Sequence, residues 1–504
     1  MKSIREQISN KPWLGWLLFA ATLVIVFFLG LLASTIMERR AEAMFAYTPQ
    51  VEFESWEPRS AVWGENFPRE YQSYLQTSDT TFRSQFNGSA MIDMLEVDPK
   101  MVVLWAGYAF AKDYNQGRGH YYAITDVYNT LRTGGPKKPE DGPQPATCWT
   151  CKSPDVVRIM ERDGVEAFYK KTWAQLGPEI VNFIGCNDCH DAKTMNLRIS
   201  RPALVEAFQK MGKDVTKSTH QEMRSLVCAQ CHVEYYFNKK RVEGAAWLTF
   251  PWEKGLTVEK MEEYYDAIEF SDWTHALSKA PMLKAQHPDY EIYKTGVHAD
   301  RGVSCADCHM PFKSEGGQKF TDHHMTSPLN NVANSCQVCH REETAKLIEN
   351  VYQRQERIIE IRDQLEQLLV MAHVEAKKAW DLGATEVQMK EILQDIRKAQ
   401  WRWDFSAAGH GSSFHSPVEM ARVIGNGIRL AQDARIKLAR VLAKLGFNEA
   451  IAYPDIATKA KAQQFIGLPM EDLRKEKAEF LQTMVPKWLE EAAAREKSYK
   501  VTRM

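Results

Sequence analysis

From Pro12 to Met37 the chain carries no charge, and most of its residues are apolar, as in Leu17-Leu18-Phe19 and the run from Val24 to Leu29. About 20 apolar residues cross a bilayer as a helix, so this stretch is long enough to span one. Toward the other end the pattern is periodic instead. Leu347, Val351, Ile358, Ile361, Leu365, Leu368, Ala372 and Ala376 recur at three- and four-residue steps, which predicts a long amphipathic helix stopping near Gly383. Thr385 and Gln388 form a capping box for a further helix to about Phe405. Ser416-Pro417-Val418-Glu419 reads as a second box, with Pro at the first helical position of a helix ending near Gly446. A last helix is expected from about Met470 into the charged tail. The stripes bury against the middle of the chain or against a second copy, and the pattern does not separate the two. In that middle the periodicity is weak: Glu253 to Ala276 can form one helix, and no period-2 run is long enough for a major sheet. The expected fold is mainly α, with short helices and loops followed by long helices.

At 504 residues the chain can hold a large core and two or three domains, and its net charge of −1 offers no basic surface for nucleic acid. Lys2, Arg5 and Lys11 precede the apolar run. By the positive-inside rule they hold the N-terminus in the cytoplasm and export the remainder of the chain. A cleaved signal peptide has a shorter apolar region. Ala41-Glu42-Ala43 offers a cleavage site with a mature start near Met44, but the length of the run favours an uncleaved anchor. Residues 1–43 are therefore read as anchor or signal, 44–340 as the region carrying the chemistry, and 341–504 as a long-helix scaffold.

All ten cysteines fall into five C-x-x-C pairs. Four pairs are followed by histidine: Cys186/Cys189/His190, Cys228/Cys231/His232, Cys305/Cys308/His309 and Cys336/Cys339/His340. C-x-x-C-H is the attachment signature of c-type haem, the thiols bonding the porphyrin vinyls and the imidazole ligating the iron. A disulfide scaffold rarely places every thiol three residues from its partner with a cation or imidazole next, and haem is favoured here over both zinc ribbons and disulfides. In the first pair, Cys148/Cys151, the ligand slot holds Lys152, whose amine can bind iron only when neutral. One substituted motif among five points to one distinct iron. Five haems within about 190 residues leave little room for an independent protein core between them. Ten histidines remain outside the motifs as candidate second ligands, which tune a low-spin haem. His373, beside the long-helix stripe, and Trp401 and Trp403 read as core residues.

The Cys-Trp-Thr-Cys-Lys run and the four C-x-x-C-H motifs, with Cys231 through Phe237, Pro281 through Pro288 and Gln400-Trp401-Arg402-Trp403-Asp404, resemble the ammonia-forming pentahaem cytochrome c nitrite reductases. The resemblance runs from about residue 45 to the C-terminus. It implies a periplasmic enzyme in which nitrite binds at the open face of the Lys152-ligated haem and takes up six electrons to become ammonium. It assigns Arg132, Tyr235 and His287 to that face. It assigns His120, His298, His323 and His415 as distal ligands, with His324 and His410 as neighbouring competitors. A calcium ion is implied at Glu234 and Gln286 through side-chain oxygens and at Tyr235 and Lys284 through backbone carbonyls. It further implies a homodimer through long C-terminal helices, and either a quinol-oxidising membrane cytochrome or a soluble multihaem protein as electron donor. Without the resemblance, Arg132 reads as a loop cation, Tyr235 as a packing aromatic, His287 as a further iron ligand and Glu234 as a surface acid. A multihaem electron conduit, whose irons would all be six-coordinate, is the rival from another functional class. A haem-free zinc module is a third.

Overall fold

The computed structural model describes residues 9–43, 49–86 and 88–504. The apolar run forms helix α1 (Pro12–Ala43), exposed along its length among the described side chains and of mean hydropathy 2.6 over Pro12–Glu38. Lys2, Arg5 and Met44 lie outside the described residues. Strand β1 (Val51–Phe53) comes next. It pairs antiparallel with β2 (Val501–Arg503), so the two ends of the body are hydrogen-bonded together. Among the described residues no strand exceeds four residues and all sheets are two-stranded. The fold is mainly α.

Between residues 49 and 343 the helices are short. Helix α2 (His220–Ala229) starts at Thr219, where a capping box with Glu222 satisfies the first amides. The expected single helix from Glu253 to Ala276 is only α3 (Val258–Ala267); beyond it the chain turns through Glu269 at φ 51° into a strand at Trp273–Thr274. Propensity there gives way to a hairpin that pairs with Pro281–Met282.

The long helices come last. Helix α4 (Thr344–Asp381) ends just before Gly383, which takes φ 90°. Helix α5 (Glu386–Ala408) has the Thr385/Gln388 box in place. Helix α6 (Pro417–Lys444) starts at the expected proline, but Ser416 does not cap it: its hydroxyl donates to the Thr295 carbonyl at 3.1 Å, and Glu419 pairs with Arg422. A tertiary partner displaces the local cap. The tail is two helices, α7 (Met470–Thr483) and α8 (Val485–Glu496), with Pro486 in the first turn of the second.

Helix α6 packs along both α4 and α5. The core runs from their facing sides through Trp105, Trp401 and Trp403 to Trp149, Trp173 and Trp252, all essentially inaccessible. A substantial protein core thus stands beside the cysteine motifs rather than being displaced by them. His373 of α4 is fully buried and stacks on His275, ring centres 3.6 Å apart.

Candidate redox site

All ten cysteines line one continuous cavity of about 1580 Å³, and none is in a disulfide. Two motif helices are capped by an acid inside the motif itself. Asp188 accepts from the Gly185 amide at 2.8 Å, and Asp307 accepts from the Ser304 amide at 2.7 Å. The motifs crowd together, the Cys151 thiol meeting Cys231 and the Cys228 thiol meeting Cys305.

Each motif histidine faces a second imidazole. Ring centres are 6.1 Å apart for His232 and His120, 6.1 Å for His190 and His323, 6.2 Å for His309 and His415, and 6.3 Å for His340 and His298. An iron about 2 Å from two imidazole nitrogens sets their ring centres roughly 6 Å apart. The outer nitrogens are engaged in several cases. His190 Nδ1 meets the Met195 carbonyl at 2.8 Å, His323 Nδ1 that of Thr321 at 2.8 Å, and His309 Nδ1 that of Thr326 at 3.1 Å. A carbonyl can only accept, so these Nδ1 atoms carry the proton and leave Nε2 free to ligate. Burial pushes His120 down to about 3 and His415 to about 4, keeping their lone pairs free. These residues fit bis-histidine haems.

His324 lines a smaller neighbouring pocket with Asp322, Lys313 and the motif residue His309, and the His410 ring lies 6.3 Å from His287. His323 and His415, by contrast, stand ring to ring with His190 and His309, so the geometry favours them. Gly411 has a role the motifs do not reveal: a Cβ there would run into the His415 ring.

Lys152 lies just past a 3-10 turn, Ala146–Trp149, and its amide donates to the Trp149 carbonyl at 2.9 Å. Trp149 is inaccessible and stacks on Trp173 at 4.9 Å. Lys152 lines the cavity together with Arg132, Tyr235 and His287. Arg132 sits on the turn Leu131–Thr133; its guanidinium lies over the Phe110 ring at 4.3 Å, and its carbonyl accepts from Gln144 at 3.2 Å. The Tyr235 and His287 rings are 6.4 Å apart. Burial holds the Tyr235 phenol well above its ordinary pKa and His287 well below its own.

Behind Tyr235, Glu234 is fully buried. It accepts from the Tyr265 hydroxyl at 2.9 Å and the Gln286 amide at 2.6 Å. Burial pushes its carboxyl well up, that of Glu291 to about 8 and that of Asp272 to about 7. The nearby Lys284 ammonium is engaged by Asp404 at 2.8 Å. The Gln286 side chain reaches the Lys284 carbonyl at 3.4 Å. An electron-rich oxygen wall with its lysine turned away suits a hard cation such as calcium. Elsewhere, Asp98, Asp363 and Glu366 converge closely enough for a metal, but the Lys100 ammonium lies 2.8 Å from the first two.

A family model described as cytochrome c552 matches residues 59–498. A protein named cytochrome c-552 from Parabacteroides distasonis is 58% identical over 483 residues, 96% of this chain and 97% of its own length. Its namesake from Aliarcobacter butzleri is 48% identical, covering 94% and 95%. Among solved structures, the catalytic subunit of a cytochrome c nitrite reductase from Desulfovibrio desulfuricans, described with two calcium sites, superposes with TM-score 0.71 at 30% identity. The match covers 83% of this chain and 90% of that one.

Proposed function

Because this chain belongs to the cytochrome c552 family, we propose that it is a nitrite reductase that carries nitrite through a six-electron reduction to ammonium at a haem ligated by Lys152. One asymmetry carries this reading. Each of the four motif histidines faces an imidazole, whereas Lys152 lines the same cavity near His287, and Arg132 and Tyr235 lie near the thiols of its motif. Cys148, Cys151 and Lys152 would hold a c-type haem, which would supply the redox chemistry there with electrons from haems held at the four histidine motifs.

The side chains around that site have separate tasks. The Arg132 guanidinium attracts an anion and stabilises charge growing on its oxygens. Tyr235 stays protonated through burial and donates a hydrogen bond to a substrate oxygen. His287 is kept neutral, so it can take up a proton and pass it to a departing oxygen. Calcium at Glu234 and Gln286, with the Tyr235 and Lys284 carbonyls, would tie the segment carrying Tyr235 to the one carrying His287.

In this reading residues 44–340 and the distal His415 form the redox centre, and the long helices of 341–504 form a scaffold and homodimer face. Val387 of α5 and Ile436 of α6 are exposed apolar positions that suit such a face. The body works in the periplasm, tethered by α1 beside a quinol-oxidising membrane cytochrome; a soluble multihaem donor fits a chain cleaved before Met44. The test is the ammonium yield per nitrite with an artificial reductant, measured beside the electron-spin spectrum of the resting protein. One ammonium per nitrite and a single exchangeable high-spin haem are expected. Five saturated low-spin irons and no ammonium would make the protein an electron conduit.

A further inference from the structure

Arg201 belongs to no cysteine motif, yet its side chain is 1% exposed and fully committed. Nε donates to the Thr150 carbonyl at 2.6 Å and Nη2 to the Ser153 carbonyl at 2.8 Å, while Nη2 also pairs with the Asp188 carboxylate. Thr150 and Ser153 stand on either side of Cys151-Lys152. One rigid guanidinium therefore grips the backbone just before and just after the residues that carry the first motif's thiol and amine. Nη1 donates to the neighbouring Ser200 hydroxyl at 2.8 Å, and the fourth partner, Asp188, lies inside the second motif.

The second and third motifs are also fastened to each other through Gln230, independently of the bonds the Arg201 guanidinium makes to Thr150 and Ser153. Gln230, inside the third motif, donates to the Asp188 carbonyl at 2.8 Å, and the Ser200 hydroxyl donates to the same carbonyl at 2.6 Å. The Gln230 side-chain oxygen accepts the amides of Ser200 at 3.0 Å and Arg201 at 3.2 Å. Removing the guanidinium takes one donor from the Ser200 hydroxyl but leaves the Gln230 bonds in place. It releases the Thr150–Ser153 backbone.

We propose that Arg201 is the positioning residue for Lys152: by clamping the Thr150 and Ser153 carbonyls it fixes where the lysine side chain leaves the backbone, and so holds its amine on the iron. This rests on the reading of Lys152 as an iron ligand. A lysine chain has a flexible four-carbon stem and loses much rotamer freedom on ligation, so a fixed origin matters more to it than to an imidazole. The fork geometry also explains the residue type. Two carbonyls and a carboxylate need several planar donors in fixed directions, and a lysine at 201 has one nitrogen to offer them.

The experiment compares holoenzymes carrying Arg201→Lys, Arg201→Gln and Asp188→Asn with the parent. It reads covalent haem per chain, the electron-spin spectrum and the affinity of the ferric protein for cyanide. The expected result for the Arg201 variants is five haems and unchanged bis-histidine signals, with a shifted or broadened high-spin signal and cyanide binding weakened roughly tenfold, the size of one lost charge-assisted hydrogen bond. Asp188→Asn keeps the guanidinium on both carbonyls and should move the same signal less; it decides the matter if the Arg201 variants do not assemble. Unchanged high-spin signal and cyanide affinity in the variants, beside a parent that shows both, overturn this inference alone. Parallel loss of the bis-histidine signals also overturns it, by making Arg201 a general strut. A parent with no exchangeable haem overturns the proposed function as well.

Discussion

His287 could serve either chemistry or iron ligation by residue type alone, and its neighbours separate the two. Its ring lies beside Tyr235 and His410, while every motif histidine already faces another imidazole. His287→Ala should therefore lower nitrite turnover, by about a hundredfold if it is the proton relay, with all four low-spin signals retained; a lost low-spin signal in the spectrum would make it a ligand instead. Gly411 makes the complementary point. Gly411→Ala pushes a methyl group into the His415 ring, so the expected change is confined to one low-spin haem, the one shared by His309 and His415. Glu234 is where metal dependence should appear. Its burial disfavours the carboxylate form, and a bound cation reverses that preference. Exhaustive chelation should release calcium and lower turnover, Glu234→Gln should mimic the chelated state, and calcium added back should rescue only the parent.

Within the helical scaffold, a polar contact between elements carries a pH dependence. His373 on α4 donates or accepts at both ring nitrogens, with Ser278 at 2.9 Å and with Gln400 of α5 at 2.7 Å, while stacked on His275. Burial lowers His373 from 6.5 to about 4. The folded state thus keeps the ring neutral where the unfolded chain protonates it. Stability is full above about pH 6.5 and is lost as pH falls from there toward 4, by on the order of 3 kcal/mol from this residue. Denaturant unfolding across that interval should show the loss. His373→Asn, which keeps hydrogen-bonding atoms but takes no proton, should have a shallower acid limb. Helix α7 acts on the site directly: its Lys477 ammonium donates to the Tyr128 carbonyl at 3.1 Å and to the Thr133 hydroxyl at 2.9 Å, bracing the turn that carries Arg132.

Across the whole molecule, α1 and the body are built on opposite terms. The apolar helix buries nothing in the protein, whereas the body closes its own ends through β1 and β2. A chain lacking residues 1–43, exported behind a cleavable leader, should carry its full haem complement and the same ammonium yield in the soluble fraction. The full chain should sediment with membranes. If the truncated protein cannot assemble its haems, the segment does more than tether.

Much of the chemistry was legible in the residues because it is local. A thiol pair and its ligand sit within five positions, so the four histidine motifs and the Lys152 exception are visible along the chain itself. The α4 stripe and the Thr385 box likewise depend only on neighbours in sequence. Tertiary structure alone decided which distal ring meets which motif, because that depends on distances no spacing encodes. The resemblance already assigns His323 rather than His324 and His415 rather than His410, and the ring contacts of His323 with His190 and of His415 with His309 agree with it. Ser416 has the makings of a cap but gives its hydroxyl to Thr295, and Arg201 looks like any other basic residue until three distant segments converge on it. Covalent attachment is specified within a motif; the geometry around the irons is specified by burial, which leaves each polar atom only the partners the fold brings within reach.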